Sequence, residues 1–187
     1  MDLKARVLER RRIFKGRVVD LGLERVRLPN GAVTELEIIR HQGAAAAVPL
    51  TASGEVVLVR QYRHAVGEWL LEVPAGKLEP GEDPESCSLR EVEEEVGLRP
   101  KTMTPLGPIW TTPGFTNERI WLFLATDLEP GRQALEDDES LSVERMLLPR
   151  AVDAVRRGEI CDAKSIVALL RAEQVVSRRG REAQPRR

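Results

Sequence analysis

The chain has 187 residues, 42% of them apolar and 32% charged, which suits one globular domain with a small appendage and excludes a chain disordered throughout. Its 29 lysines and arginines balance 30 acids, which excludes the broad basic field of a nucleic-acid binder and requires any partner to be recognised at a local site. No apolar run reaches the length of a membrane span, Asp2 and Glu9 oppose a transit peptide, and two widely separated cysteines, Cys87 and Cys161, make no disulfide framework, so a cytoplasmic protein is expected.

Residues 13–40 alternate apolar and polar positions, as strands do, with Pro29-Asn30-Gly31 as a hairpin turn between Val26 and Val33. Residues 1–42 thus form a small antiparallel β unit. So few strands are not stable alone, so they must lie on the main body or on a second copy of the chain, and a homodimer through them is expected. Residues 43–50, GAAAAVPL, read as a buried strand whose alanines admit a very close neighbour. Residues 51–54 turn the chain into a strand at 55–63 that carries Arg60 and Arg63, and after a loop a strand at 69–75 runs straight into the most distinctive stretch of the chain.

That stretch is GKLEPGEDPESCSLREVEEEVGL, from Gly76 to Leu98. Pro80-Gly81 marks a turn, Asp83 is placed to cap a helix, Pro84 suits the first helical position, and Gly97 ends the helix as its C′ residue. At 100° per residue, Glu91, Glu94 and Glu95 share an arc of about 100°, whereas Leu89, Val92 and Val96 fall on the other side, so one face is expected to be core and the opposite one carboxylate. Arg90 neighbours Glu94 and is positioned to hold it, and Glu82 to be held in turn by Arg90. Cys87 falls near Glu91, but with no Cys or His beside it the residue reads as packing.

After the helix, residues 102–110 and 118–126 read as a strand pair joined by TTPGFTN, with Pro113-Gly114 as the turn. Residues 128–140 form a polar loop ending in Asp137, Asp138 and Glu139; a strand at 141–148 and helices at 149–157 and 163–177 follow, the last with Ile166, Val167, Leu169 and Leu170 on one side. Residues 178–187 are basic and read as a disordered tail.

Three carboxylates on one helix face repel one another unless a cation sits among them, and an all-oxygen donor set favours Mg²⁺ or Mn²⁺ over Zn²⁺. Such ions neutralise phosphate oxygens and acidify a bound water, which points to hydrolysis of a phosphoanhydride. Neither His41 nor His64 is placed to act as the base, and both read as surface or packing residues. A carboxylate on a loop, Glu139, is the better candidate.

The order Gly76, five residues, Glu82, seven residues, Arg90-Glu91-Val92-Glu93-Glu94-Glu95-Val96-Gly97-Leu98 resembles the Nudix box at every specified position. From about residue 14 to 170 the chain is similar to the ADP-ribose pyrophosphatase branch of that family. Four segments carry this: LEVPAGKLEPGE, TTPGFTNE with Pro113, EDDESLSVE and GEICDAKSIVALL. The resemblance implies an α+β Nudix fold over residues 43–177, a mixed β-sheet sandwiched between helices. It implies Glu91 and Glu95 as principal metal ligands, Glu94 as ligand or close support beside Arg90, and the Ala75 carbonyl as a further ligand, with Gly76, Glu82 and Gly97 structural. It also implies Arg63 on phosphate, Gly114, Phe115 and Glu118 at the substrate with Glu118 on the terminal ribose, Glu139 on the catalytic water, and N-terminal strands exchanged with a second subunit to help form an adenine pocket. The resemblance does not identify the residue that stacks on adenine; by aromatic character the candidate is Phe14. The implied reaction splits ADP-ribose into AMP and ribose 5-phosphate. Two alternatives stay open: another nucleoside diphosphate sugar, of GDP-mannose or ADP-glucose type, because the box grips the diphosphate and not its ends; and a ligand-sensing module without turnover, against which the complete set of box glutamates argues.

Overall fold

The computed structural model describes residues 4–135 and 140–182. The chain divides into two compact units, one built from the chain up to Gly43 with Trp110–Arg119, the other from Ala44–Ile109 and the chain from Ile120 onward. The first therefore takes in the TTPGFTNE turn as well as the expected N-terminal strands.

In the first unit, strands β1 (Arg6–Lys15), β2 (Asp20–Arg27) and β3 (Val33–Arg40) form an antiparallel sheet in the order β1-β2-β3. The expected turn joins β2 to β3, with Gly31 at φ 85° and the Asn30 side chain accepting from the Ala32 N–H. Strand β1 starts at Arg6, seven residues before the alternating pattern. Every residue in it is exposed, so no buried face imposes alternation; backbone pairing from Arg6 opposite Arg27 to Lys15 opposite Asp20 defines it instead. Glu24 on β2 is buried between Arg10 and Arg40, which satisfies the one acid the sheet covers.

The second unit holds a four-stranded mixed sheet in the order β7 (Ala75–Lys77), β4 (Ala44–Pro49), β9 (Arg119–Pro130), β8 (Leu98–Trp110), and an antiparallel sheet in the order β10 (Leu141–Leu147), β5 (Glu55–Arg63), β6 (Glu68–Glu72). Helices α1 (Pro84–Val96), α2 (Leu148–Arg156) and α3 (Ala163–Glu182) complete it. Alternate residues of β4 serve two cores: Ala44, Ala46 and Val48 pack in the cluster of Val152 and Leu169 from α2 and α3, and Ala45 and Ala47 in the cluster of Cys87, Val92 and Val96 from α1. The mixed sheet is therefore sandwiched between helices, and the alanine run lets both layers approach closely. Among the described residues no helix is long and apolar enough to cross a membrane.

Further boundaries differ from expectation, among them the end of β9, which runs to Pro130 into the stretch expected as a loop from residue 128. The strand read at 69–75 is two strands: β6 ends at Glu72, and Ala75 opens β7, paired with Ala46 in the other sheet. Pro74, which has no N–H to donate, makes the break, and its carbonyl accepts from the Ala47 N–H at 3.1 Å. β8 begins at Leu98, directly after the glycine that ends α1. Helix α3 continues to Glu182, so residues 178–182 are helical and not a disordered tail; Arg179 on that extension donates to Thr104 Oγ1 at 3.0 Å.

Candidate active site

Local chemistry sets the ends of α1 as expected. Asp83 accepts from the backbone N–H groups of Glu85 and Ser86 at 3.0 and 3.1 Å, Pro84 opens the helix, and Gly97 closes it at φ 66° with its N–H on the Glu93 carbonyl.

The acidic face is not the solvated side of this helix. Glu91 and Glu95 are only 9% and 2% exposed, Leu89 is half-buried, and the side chain of Glu94 is 41% exposed. Strand β7 accounts for the burial. The Ala75 N–H donates to Glu95 Oε2 at 3.1 Å, and the Glu91 carboxylate lies so close to Gly76 that a Cβ built there would stand 1.8 Å from Oε1. Arg90 gathers the remaining oxygens: Nε and Nη2 donate to Glu82 at 3.0 and 3.2 Å, and Nη1 to Glu91 at 2.8 Å and Glu94 at 2.9 Å. Its fork holds the Glu82 carboxyl below the usual range, and burial, followed by the charges of Glu82 and Glu91, pushes the Cys87 thiol up to about 12. Cys87 is packing, as expected, with Sγ against the carbonyls of Gly76 and Lys77 at 3.6 and 3.5 Å.

Among the described residues no three acidic, histidine or cysteine side chains already stand together at ligating separation. Glu91 and Glu94 are instead closed on Arg90. The donor set nevertheless fits a hard divalent cation: carboxylate oxygens in a hollow that only a glycine leaves open, with three acids, Glu82, Glu91 and Glu94, around one guanidinium and Glu95 beside them on the Ala75 N–H.

A second cluster in this unit escaped sequence reasoning. Glu72, at the end of β6, is 1% exposed and accepts from Arg63 Nε and Nη2, both at 2.8 Å, and from Lys164 of α3. Burial raises its pKa, but the Arg63 fork and Lys164 outweigh that and hold it below the ordinary carboxylate value. Arg63, expected on phosphate, is therefore bound to Glu72, and it also feels the charge of Glu95. The sequence signal was an acid inside the apolar run LLEV, with a basic residue to match it in the closing helix.

In the first unit, Glu118 Oε2 accepts from Thr111 Oγ1 at 2.7 Å, and Oε1 faces His41 Nε2 at 3.5 Å. His41 is more than packing. Its Nδ1 accepts from the Gly43 N–H at 3.0 Å, and its backbone exchanges two hydrogen bonds with the Asn117 side chain at 2.8 and 3.1 Å. The Phe115 carbonyl accepts from the Ile39 N–H at 2.8 Å while its ring is exposed, Gly114 has open space around it, and the Phe14 ring is exposed on β1. Glu139 lies outside the described residues.

The NUDIX domain family matches residues 40–169. An ADP-ribose pyrophosphatase of Bacillus subtilis (strain 168) is 38% identical over 170 residues, covering 90% of this chain and 92% of that protein. A methanol dehydrogenase activator of Bacillus methanolicus is 39% identical over 166 residues, covering 88% and 90%. Among solved structures, the crystal structure of an ADP compounds hydrolase superposes with a TM-score of 0.83 over 95% of this chain and 97% of its own, at 22% identity, a likeness of fold.

Proposed function

The chain belongs to the NUDIX family, and on that premise we propose that it hydrolyses the diphosphate bridge of ADP-ribose, with water entering and AMP and ribose 5-phosphate leaving. The observation that carries this reading is the burial of Glu91 and Glu95 under β7, with Glu82, Glu91 and Glu94 all drawn onto the guanidinium of Arg90. Carboxylates gathered in this way are a donor set suited to a divalent cation that carries an anionic ligand.

Glu91, Glu95, Glu94 and the Ala75 carbonyl would hold a divalent ion, Mg²⁺ or Mn²⁺, which when bound would supply charge neutralisation at the diphosphate and an acidified water. The protein's own groups do the rest. Arg90 fixes the rotamers of Glu91 and Glu94 and keeps Glu82 in place as their support. Arg63 binds a phosphate oxygen. Glu118, oriented by Thr111 and His41, holds the terminal ribose, with Gly114 and Phe115 lining the same turn. Glu139 takes the proton of the attacking water. The working unit is a homodimer: β1 exposes Val7, Leu8, Ile13 and Phe14 and has no buried residue, apolar surface suited to a second copy.

A panel of nucleoside diphosphate sugars assayed with Mg²⁺ and with EDTA, with products separated by chromatography, tests the proposal. ADP-ribose should be turned over fastest, to AMP and ribose 5-phosphate, with EDTA abolishing the reaction and Mg²⁺ restoring it. Preference for GDP-mannose or ADP-glucose would reassign the substrate, and binding without turnover would make the chain a sensor.

A further inference from the structure

We propose that Lys164 is a positioning residue for Arg63: it shares the buried Glu72 carboxylate, so that the Arg63 guanidinium is able to leave that carboxylate for a diphosphate oxygen. The inference rests on the hydrolase reading and extends it to the closing helix, which that reading does not use.

Glu72 has two cationic partners, and they differ in their access to water. The side chain of Arg63 on β5 is 41% exposed, whereas that of Lys164 on the first turn of α3 is 12% exposed. Arg63 is the partner with room to move, and the charge of Glu95 already acts on it. Lys164 is fixed. Its ammonium also donates to Asp162 Oδ2 at 3.1 Å, and the same oxygen accepts from the backbone N–H and the hydroxyl of Ser165 at 3.0 and 2.6 Å. The Ser165 hydroxyl in turn accepts from the Val73 N–H at 2.8 Å, one residue after Glu72. The start of α3 is thus tied to the backbone beside the acid that its lysine neutralises.

With Arg63 as its sole partner, a carboxylate at 1% exposure would hold that guanidinium permanently. Withdrawing it would strand a buried charge, the arrangement in which removal of one partner is most costly. The pair would be neutral, and the arginine useless to an anion. A second, immobile cation changes the balance. Glu72 stays paired wherever Arg63 points, and the move exchanges two charge-assisted hydrogen bonds for two of the same kind on phosphate. Lys164 touches no substrate in this scheme and acts through Glu72.

The test is a double-mutant cycle on the full chain, read as KM and kcat for ADP-ribose with Mg²⁺, and as the Kd for ADP-ribose by calorimetry in EDTA. Lys164→Met should raise both KM and Kd about tenfold and leave kcat within about twofold, because binding is lost and not chemistry. Lys164→Arg should restore both. In the Glu72→Gln background the same Lys164→Met change should alter neither constant, since no buried charge remains to be shared. Unchanged KM and Kd in Lys164→Met, or the same loss with Glu72→Gln present, overturns the proposal. If Lys164→Met does not fold, the comparison of Glu72→Gln with the double variant decides alone: equal constants support the proposal and a further rise overturns it. A wild-type chain that binds ADP-ribose without hydrolysing it, with Kd weakened by Lys164→Met, would sink the hydrolase reading and leave this one standing. Normal turnover with an unchanged Kd would do the reverse.

Discussion

Gly76→Ala separates the geometry of the box from its stability. Gly76 is not among the glycines with positive φ, so alanine can adopt its backbone and the effect of the substitution is steric. The new Cβ would stand 1.8 Å from Glu91 Oε1 and 2.0 Å from its carboxyl carbon. Non-bonded carbon needs about 3.5 Å, so the carboxylate must retreat by about 1.5 Å or more. The obstructing atoms are the end of a flexible side chain, which lets the strand and helix stay where they are. Glu91 then loses its 2.8 Å bond from Arg90, a stability cost of about 1–2 kcal/mol, or a drop of about 2–8 °C in the melting midpoint for a chain of this size. Turnover should suffer far more, since a misplacement of about 1 Å costs on the order of a hundredfold. Steady-state hydrolysis of ADP-ribose across a Mg²⁺ titration, alongside thermal melts, measures both. A folded Gly76→Ala protein with wild-type turnover and the same Mg²⁺ requirement would refute the claim that this hollow holds Glu91 for catalysis.

Glu95→Gln keeps the shape of a 2% exposed side chain but not its charge; turnover should fall at least about a hundredfold with melting little changed, and retained Mg²⁺-dependent activity would count against the site. With Cys87 buried and its thiol pushed up to about 12, and Cys161 exposed, a thiol reagent at pH 8 should label only Cys161 until denaturant is added; two fast thiols in the native protein would contradict the packing of α1. Because the folded-state pKa of Glu72 lies below its ordinary 4.5, its ion pairing contributes stability above that pH and loses it as pH falls through the folded value. Urea melts from pH 3 to 7 should therefore show a flatter acid limb for Glu72→Gln, at a cost of about 3 kcal/mol near neutrality, whereas an unchanged acid limb would place the loss elsewhere. Light scattering should find a dimer for the full chain and a monomer once residues 1–42 are deleted; a dimeric truncation would remove the N-terminal strands from the interface.

Most of α1 was legible because its signals act over one turn. Asp83 caps groups two and three residues away, and Gly97 bonds back to Glu93. Arg90 likewise meets Glu94, four residues on, through helical spacing alone. Strand β1 was not legible, since a strand with no buried face carries no alternation and only its pairing with β2 reveals it. Nor was the break at Pro74, where an apolar run gave no sign that the chain changes sheets.

The order of acids, glycines and arginine from Gly76 to Leu98 thus carried the resemblance to the family, and residue type and helical period by themselves determined the charge of the site and the chemistry such charge can serve. Which acids are buried was decided by β7 lying across the helix. That Glu72 meets Lys164, 92 residues away, was decided by the packing of α3 against the sheet. Contacts between distant segments depend on how whole layers meet, and no local pattern encodes that.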